Sequence, residues 1–179
     1  GRDRETLPLV CQGKASKHNT MNTFTFLEKA ARFQGGEPAI IFGDEVTSYA
    51  EFQSNALAMA GKFSALGLAR GDRVAFCLAN SPRVLEIIFA CFAGGFIVVP
   101  VNARLHPKEI AYIVADSGAR ALFHGPEYEE GIRENSDAFS TLEHRFTLYA
   151  SAAANSGLDL YQASQPLKKS VSLDSSAPA

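Results

Sequence analysis

Two short polar segments draw attention because each follows an apolar run: Asn80 and Ser81 after "RVAFCL", and Asn102 with Arg104 after "FIVVPV". An arginine in such a place can hold a phosphate through charge-assisted, paired hydrogen bonds. A plainer reading stands beside it. Asn80 and Ser81 fit a turn and a helix N-cap, and Arg104 fits a surface ion pair with Glu109 or Asp116. Other chemistry is poorly represented. His18, His106, His124 and His144 lack metal-ligand spacing and read as surface or structural residues, so no zinc site is indicated. Asp44, Glu45, Asp72, Asp116 and the acidic cluster at 127–134 fall in turns or on solvated helix faces, with no recognisable acid/base pair. No Gly-x-Gly-x-x-Gly follows a strand and no loop ends in Gly-Lys-Ser/Thr, which argues against a dinucleotide-binding dehydrogenase or a P-loop enzyme.

The elements that must position these residues are legible from periodicity. Thr25 and Glu28 form a capping-box pattern for a first helix ending near Phe33, before Gly35 and Gly36. "PAIIF" and "VTS" flank Gly43-Asp44-Glu45 and predict a hairpin. Ser48 and Glu51 repeat the capping box, and Tyr49, Phe52, Leu57, Ala60 and Phe63 continue it as a long amphipathic helix to Gly67. "RVAFCL" is a strand apolar on both faces. Ser81 and Pro82 then open a helix that runs to Gly94. The order repeats with strand "FIVVPV", a helix from about Pro107 to Asp116, strand "RALF", a weaker helical stretch and strand "RFTLY". Such alternation predicts an α/β fold, a doubly wound, mostly parallel sheet with helices on both faces, preceded by a helix and a short hairpin. A further short helix is predicted near Leu158 to Gln165, and the tail "SVSLDSSAPA" has no pattern.

Composition sets the outer bounds. The 179 residues are 46% hydrophobic with a net charge of −2, enough to bury a substantial core and without the basic footprint that nucleic acid or anionic lipid requires. The apolar stretch from Ile87 to Val101 is too short to span a membrane and is broken by Gly94, Gly95 and Pro100. Cys11, Cys77 and Cys91 are odd in number and far apart, so no disulfide framework is expected. Cys77 and Cys91 read as small core residues, and the reading is of a cytoplasmic protein. Residues 1–20 mix charge and polarity and read as a flexible leader or extension.

"TSYAEF" (47–52), "LGLARGDRVAFCLANSP" (66–82) and "FAGGFIVVPVNARLHPKEIAYIVADSGARALF" (92–123) resemble, in order and spacing, the N-terminal region of the adenylate-forming superfamily. That superfamily includes acyl- and aryl-CoA ligases, peptide-synthetase adenylation domains and beetle luciferases. "PVNARL" at 100–105 resembles the CoA-ligase branch, whereas peptide-synthetase domains usually carry Asp at the Asn102 position. The resemblance implies a partial domain: residues 21–179 would be the N-terminal portion of the acyl-adenylating large domain, ending before the phosphate loop. It implies ATP, Mg²⁺ and CoA as cofactors of the parent enzyme and a small carboxylic acid as substrate, with Asn102 and Arg104 as possible CoA-side contacts. The chain alone would be inactive and prone to self-association through exposed apolar surface. The alternatives are a non-catalytic α/β binding module, or an adenylation domain of another branch.

Overall fold

The computed structural model describes residues 22–148 and 161–163. Helix α1 (Phe24–Gln34) is followed by strands β1 (Pro38–Phe42) and β2 (Glu45–Ser48), which pair as an antiparallel hairpin around Gly43 at φ 61°. Helix α2 (Tyr49–Ala65) begins at the expected capping box: the Glu51 backbone N–H donates to the Ser48 hydroxyl, and the Ser48 backbone N–H donates to the Glu51 carboxylate at 2.9 Å. These two bonds satisfy N–H groups that the helix cannot pair internally. The box expected at Thr25 and Glu28 does not form. Helix α1 starts two residues earlier, with Thr23 at the N-cap position, and Asn22 holds it instead by accepting the Phe24 N–H at 3.1 Å while its amide donates to the Phe92 carbonyl at 2.5 Å.

The remaining elements alternate: β3 (Arg73–Cys77), α3 (Pro82–Gly94), β4 (Ile97–Pro100), α4 (Pro107–Ser117), β5 (Ala121–His124), α5 (Glu129–Glu134), β6 (His144–Leu148) and β7 (Tyr161–Ala163). The sheet order is β4-β3-β5-β6-β7, parallel from β4 through β6 and antiparallel at β7. The helix expected at 158–165 is therefore a strand over residues 161–163. Residues 1–21, including the proposed leader and Cys11, and the tail from 164 lie outside the described residues.

Period-two alternation sorts the strand residues between two cores. Val74, Phe76, Ala121, Phe123, Phe146 and Leu148 pack against α2 and α3, while Ala75, Cys77 and Leu122 pack against α4 and α5. Helices thus cover both faces, as the continuous apolar strands require. The first core is aromatic: Phe123 stacks on Phe146 at 4.7 Å and meets Phe63 at 5.5 Å. A third cluster, built on Phe24, Leu27, Ile40, Phe52 and Ala56, attaches α1 and the hairpin to α2.

Candidate functional site

Parallel pairing brings the carboxyl ends of β3, β4, β5 and β6 to one edge of the sheet, and open α/β sheets place ligands outside that edge. The chain leaves β3 toward β4 and then crosses back to β5, so the switch point lies between β3 and β5. The last rung there reads Cys77, His124 and Thr147, side by side across three strands.

His124 is wholly buried. Its Nδ1 lies 2.8 Å from the Gly125 carbonyl, to which an N–H there donates. Nε2 is then left with a lone pair and finds no hydrogen-bond partner among the described residues; the nearest charge is Glu129 Oε2 at 3.7 Å. Burial, chiefly, holds the imidazole below its usual pKa and so neutral. Glu129 accepts from Arg145 Nη2 at 2.9 Å and from the Thr147 hydroxyl at 3.0 Å.

Cys77, His124 and Glu129 look like a nucleophile, a base and an orienting acid, yet the geometry denies that role. The Cys77 sulfur faces the Asn102 carbonyl at 3.8 Å and the Tyr128 side chain. Burial pushes the thiol up to about 11, so it stays protonated at neutral pH. Cys91 is likewise buried and pushed up to about 12. Both cysteines are core residues, as their apolar surroundings in the sequence suggest.

The loop after β4 is built locally. Asn102 Oδ1 accepts the Arg104 N–H at 2.9 Å and its carbonyl accepts the Leu105 N–H, an Asx turn that a short amide side chain favours. Asn102 and Arg104 are both exposed. Arg104 has no ion pair among the described residues. The surface pairing with Glu109 or Asp116 does not form, because Glu109 instead accepts the His106 N–H at 2.9 Å in a capping box that opens α4. Across the end of β3 the Tyr128 hydroxyl donates to the Ala103 carbonyl, inside the same loop.

Asn80 is exposed just past β3, and Ser81 sits at the N-cap position of α3 without its side chain capping it. No hydrogen bond joins this pair to Asn102 or Arg104 among the described residues. Two residues, Glu86 and Tyr128, were missed on sequence, while His124, read as surface or structural, is buried at the end of β5. Glu86, 1% exposed, is held by Arg83 at 2.6 Å and by Asn55 at 2.8 Å; a carboxylate inside the apolar run "VLEIIFA" was the available signal. His124 closes the apolar strand "ALFH" in the same manner. Tyr128 offered no signal.

No group of three or more His, Cys, Asp or Glu side chains among the described residues could hold a metal ion, and no described helix is long and apolar enough to cross a membrane.

Residues 26–178 match the family model described as "AMP-binding enzyme". A feruloyl-CoA synthase from Amycolatopsis is 38% identical over 104 residues, covering 58% of this chain and 21% of that protein. A long-chain-fatty-acid–CoA ligase from Thermus thermophilus is 34% identical over 128 residues, covering 69% of this chain and 24% of the ligase. Among solved structures, a fatty acyl CoA synthetase from Mycobacterium tuberculosis aligns with a TM-score of 0.65 and 28% identity over 72% of this chain and 26% of that one. The chain spans about a fifth to a quarter of the length of these curated relatives.

Proposed function

Because the chain belongs to the family of AMP-binding enzymes, we propose that it forms the amino-terminal part of the adenylating domain of an acyl- or aryl-CoA ligase. In this reading a carboxylate oxygen attacks the α-phosphate of ATP and pyrophosphate leaves. The CoA thiolate then attacks the acyl carbon and AMP leaves with the bonding pair. Activation is needed because a carboxylate has no good leaving group until its oxygen carries the adenylyl group. The names of the relatives support the CoA step and leave the acid open, since one acts on an aromatic acid and another on a long-chain fatty acid.

The observation that carries the reading within the chain is Arg104, exposed and without an ion pair among the described residues, on the loop at the carboxyl end of β4. A guanidinium there is available to a CoA phosphate, with Asn102 shaping the backbone beneath it. Residues 1–179 contain no Ser/Thr/Gly-rich loop ending in Pro-Lys-Gly. By themselves they are expected to form no adenylate. Phe33, Ile41 and Val46 are 78%, 70% and 55% exposed on α1 and the hairpin, which supports self-association of the isolated chain.

The test is carboxylate-dependent ATP–pyrophosphate exchange, followed by thioester formation with CoA, measured on the intact enzyme against aromatic and aliphatic acids. Exchange and thioester with at least one acid are expected. Absence of both across the panel would sink the ligase reading in favour of a non-catalytic α/β module. Exchange without thioester would move the protein to another adenylating branch.

A further inference from the structure

The loop that carries Arg104 makes little contact through its own exposed side chains. Besides Ala103 and Leu105, which pack partly buried against the core, two groups from outside the loop hold its backbone. The Tyr128 hydroxyl, arriving from beyond β5, donates to the Ala103 carbonyl, and the Cys77 thiol at the end of β3 faces the Asn102 carbonyl at 3.8 Å. Ala103 sits between Asn102 and Arg104, so the hydroxyl grips the chain one residue before the guanidinium.

Tyr128 is itself braced on both sides. Before it, Gly125 is fixed by its N–H to the Cys77 carbonyl and by its carbonyl to His124 Nδ1. After it, Glu129 is tied to Arg145 and Thr147 on β6. The polar row at the end of β5 and β6 thus has a use that no catalytic role supplies. It makes a rigid footing for one ring that crosses the switch point and reaches the loop beyond.

We propose that Tyr128 is a positioning residue for CoA, setting Arg104 through the Ala103 carbonyl; the proposal rests on the reading of Arg104 as a CoA-phosphate contact. Tyr128 is largely buried and packs with Ile132, Val101 and Ala111, so its ring is part of the core and only its hydroxyl is spared for the loop. Removing the hydroxyl while keeping the ring separates the two duties. An unpinned loop lets Arg104 sample positions away from the phosphate, which weakens CoA binding without touching the carboxylate–ATP step.

The experiment is a cycle of Tyr128→Phe, Arg104→Ala and the double variant in the intact enzyme, with the adenylation and thioester half-reactions measured separately. Tyr128→Phe is expected to raise KM for CoA about three- to tenfold, the effect of one neutral hydrogen bond, with pyrophosphate exchange unchanged. In the Arg104→Ala background the same change should add nothing, because the group it positions is gone. An equal rise in both backgrounds, or none in either, would overturn the positioning role while a large Arg104→Ala effect on KM left the phosphate contact standing. If Arg104→Ala itself leaves KM for CoA unchanged, the reading of Arg104 fails and the positioning role falls with it. Should Tyr128→Phe yield no folded protein, Glu129→Gln loosens the same footing from the next residue and is judged by the same cycle.

Discussion

The two ends of the parallel sheet are built on opposite principles. At the amino end, charges are matched. Arg120, before β5, bonds Asp72 ahead of β3 and Glu143 ahead of β6, the latter at 2.5 Å, while Arg73 donates to the Ser117 and Gly118 carbonyls at 2.9 and 2.7 Å and so closes the end of α4. His144 Nε2 lies 2.9 Å from the Leu66 carbonyl. At the carboxyl end, hydrogen-bonding capacity is left over: among the described residues His124 Nε2 has no hydrogen-bond partner and Arg104 has no counter-ion. In the proposed reading the exposed Arg104 is the group at the carboxyl edge that a ligand would meet, while the Arg120 and Arg73 networks hold the strands at the amino edge, where the buried Thr141 hydroxyl finds no hydrogen-bond partner among the described residues.

The contrast can be broken most forcefully at Arg120. Arg120→Met removes bonds to two carboxylates and leaves the largely buried Asp72 with its backbone bond to Ala69 alone, so a loss of about 2 kcal/mol in stability is expected. Glu143 is half exposed, which keeps the figure from being larger. Urea unfolding checks it, and KM for every substrate should stay put. Arg73→Met should follow with a loss of about 1 kcal/mol, from two carbonyls at the end of α4 that water can partly satisfy.

The pH dependence of stability should separate the two ends, because they titrate in different windows. The backbone N–H of Ala69, first, and then Arg120 hold Asp72 below the usual carboxylate range, and Arg120 does the same for Glu143. Carboxylates depressed in the folded state bind fewer protons there than when unfolded. Their contribution is complete above about pH 4 and is lost as pH falls further. His124 is also depressed, by burial, and it must charge to follow the unfolded chain. Its contribution is complete above about pH 6.5 and fades below that. Unfolding free energy should therefore decline in two stages on acidification, and His124→Gln should flatten the first stage alone. A single acid transition below pH 4 in the parent protein would contradict this placement of His124.

How much of this was readable beforehand depended on whether a feature was local. The α/β order, the hairpin and the Ser48–Glu51 capping box announce themselves within a few residues, and the double-sided apolar strands foretell helices on both faces. The start of α1 was misplaced because Asn22, bonded to Phe92 far along the chain, outcompetes the Thr25–Glu28 pattern. The strand at Tyr161–Ala163 was read as helix because three residues carry no period of their own, and pairing with β6 decides their state. The site shows the same division. Asn102 and Arg104 were visible as polar residues after a strand, whereas the Tyr128 contact joins residues 25 apart through strand order, which no local pattern contains.

The smallest stability effect belongs to Arg104, and it leads to the decisive comparison. Being exposed and without an ion pair among the described residues, Arg104 should change stability by no more than about 0.5 kcal/mol on conversion to alanine. Measuring unfolding free energy and KM for CoA on Arg104→Ala and Arg120→Met side by side tests the division of the sheet directly. Arg104→Ala should raise KM for CoA about tenfold, with adenylate formation and stability nearly unchanged. Arg120→Met should lower stability and leave that KM alone. If both variants move the same quantity, or if Arg104→Ala alters stability but not KM for CoA, the two ends of the sheet do not divide their work between ligand and structure.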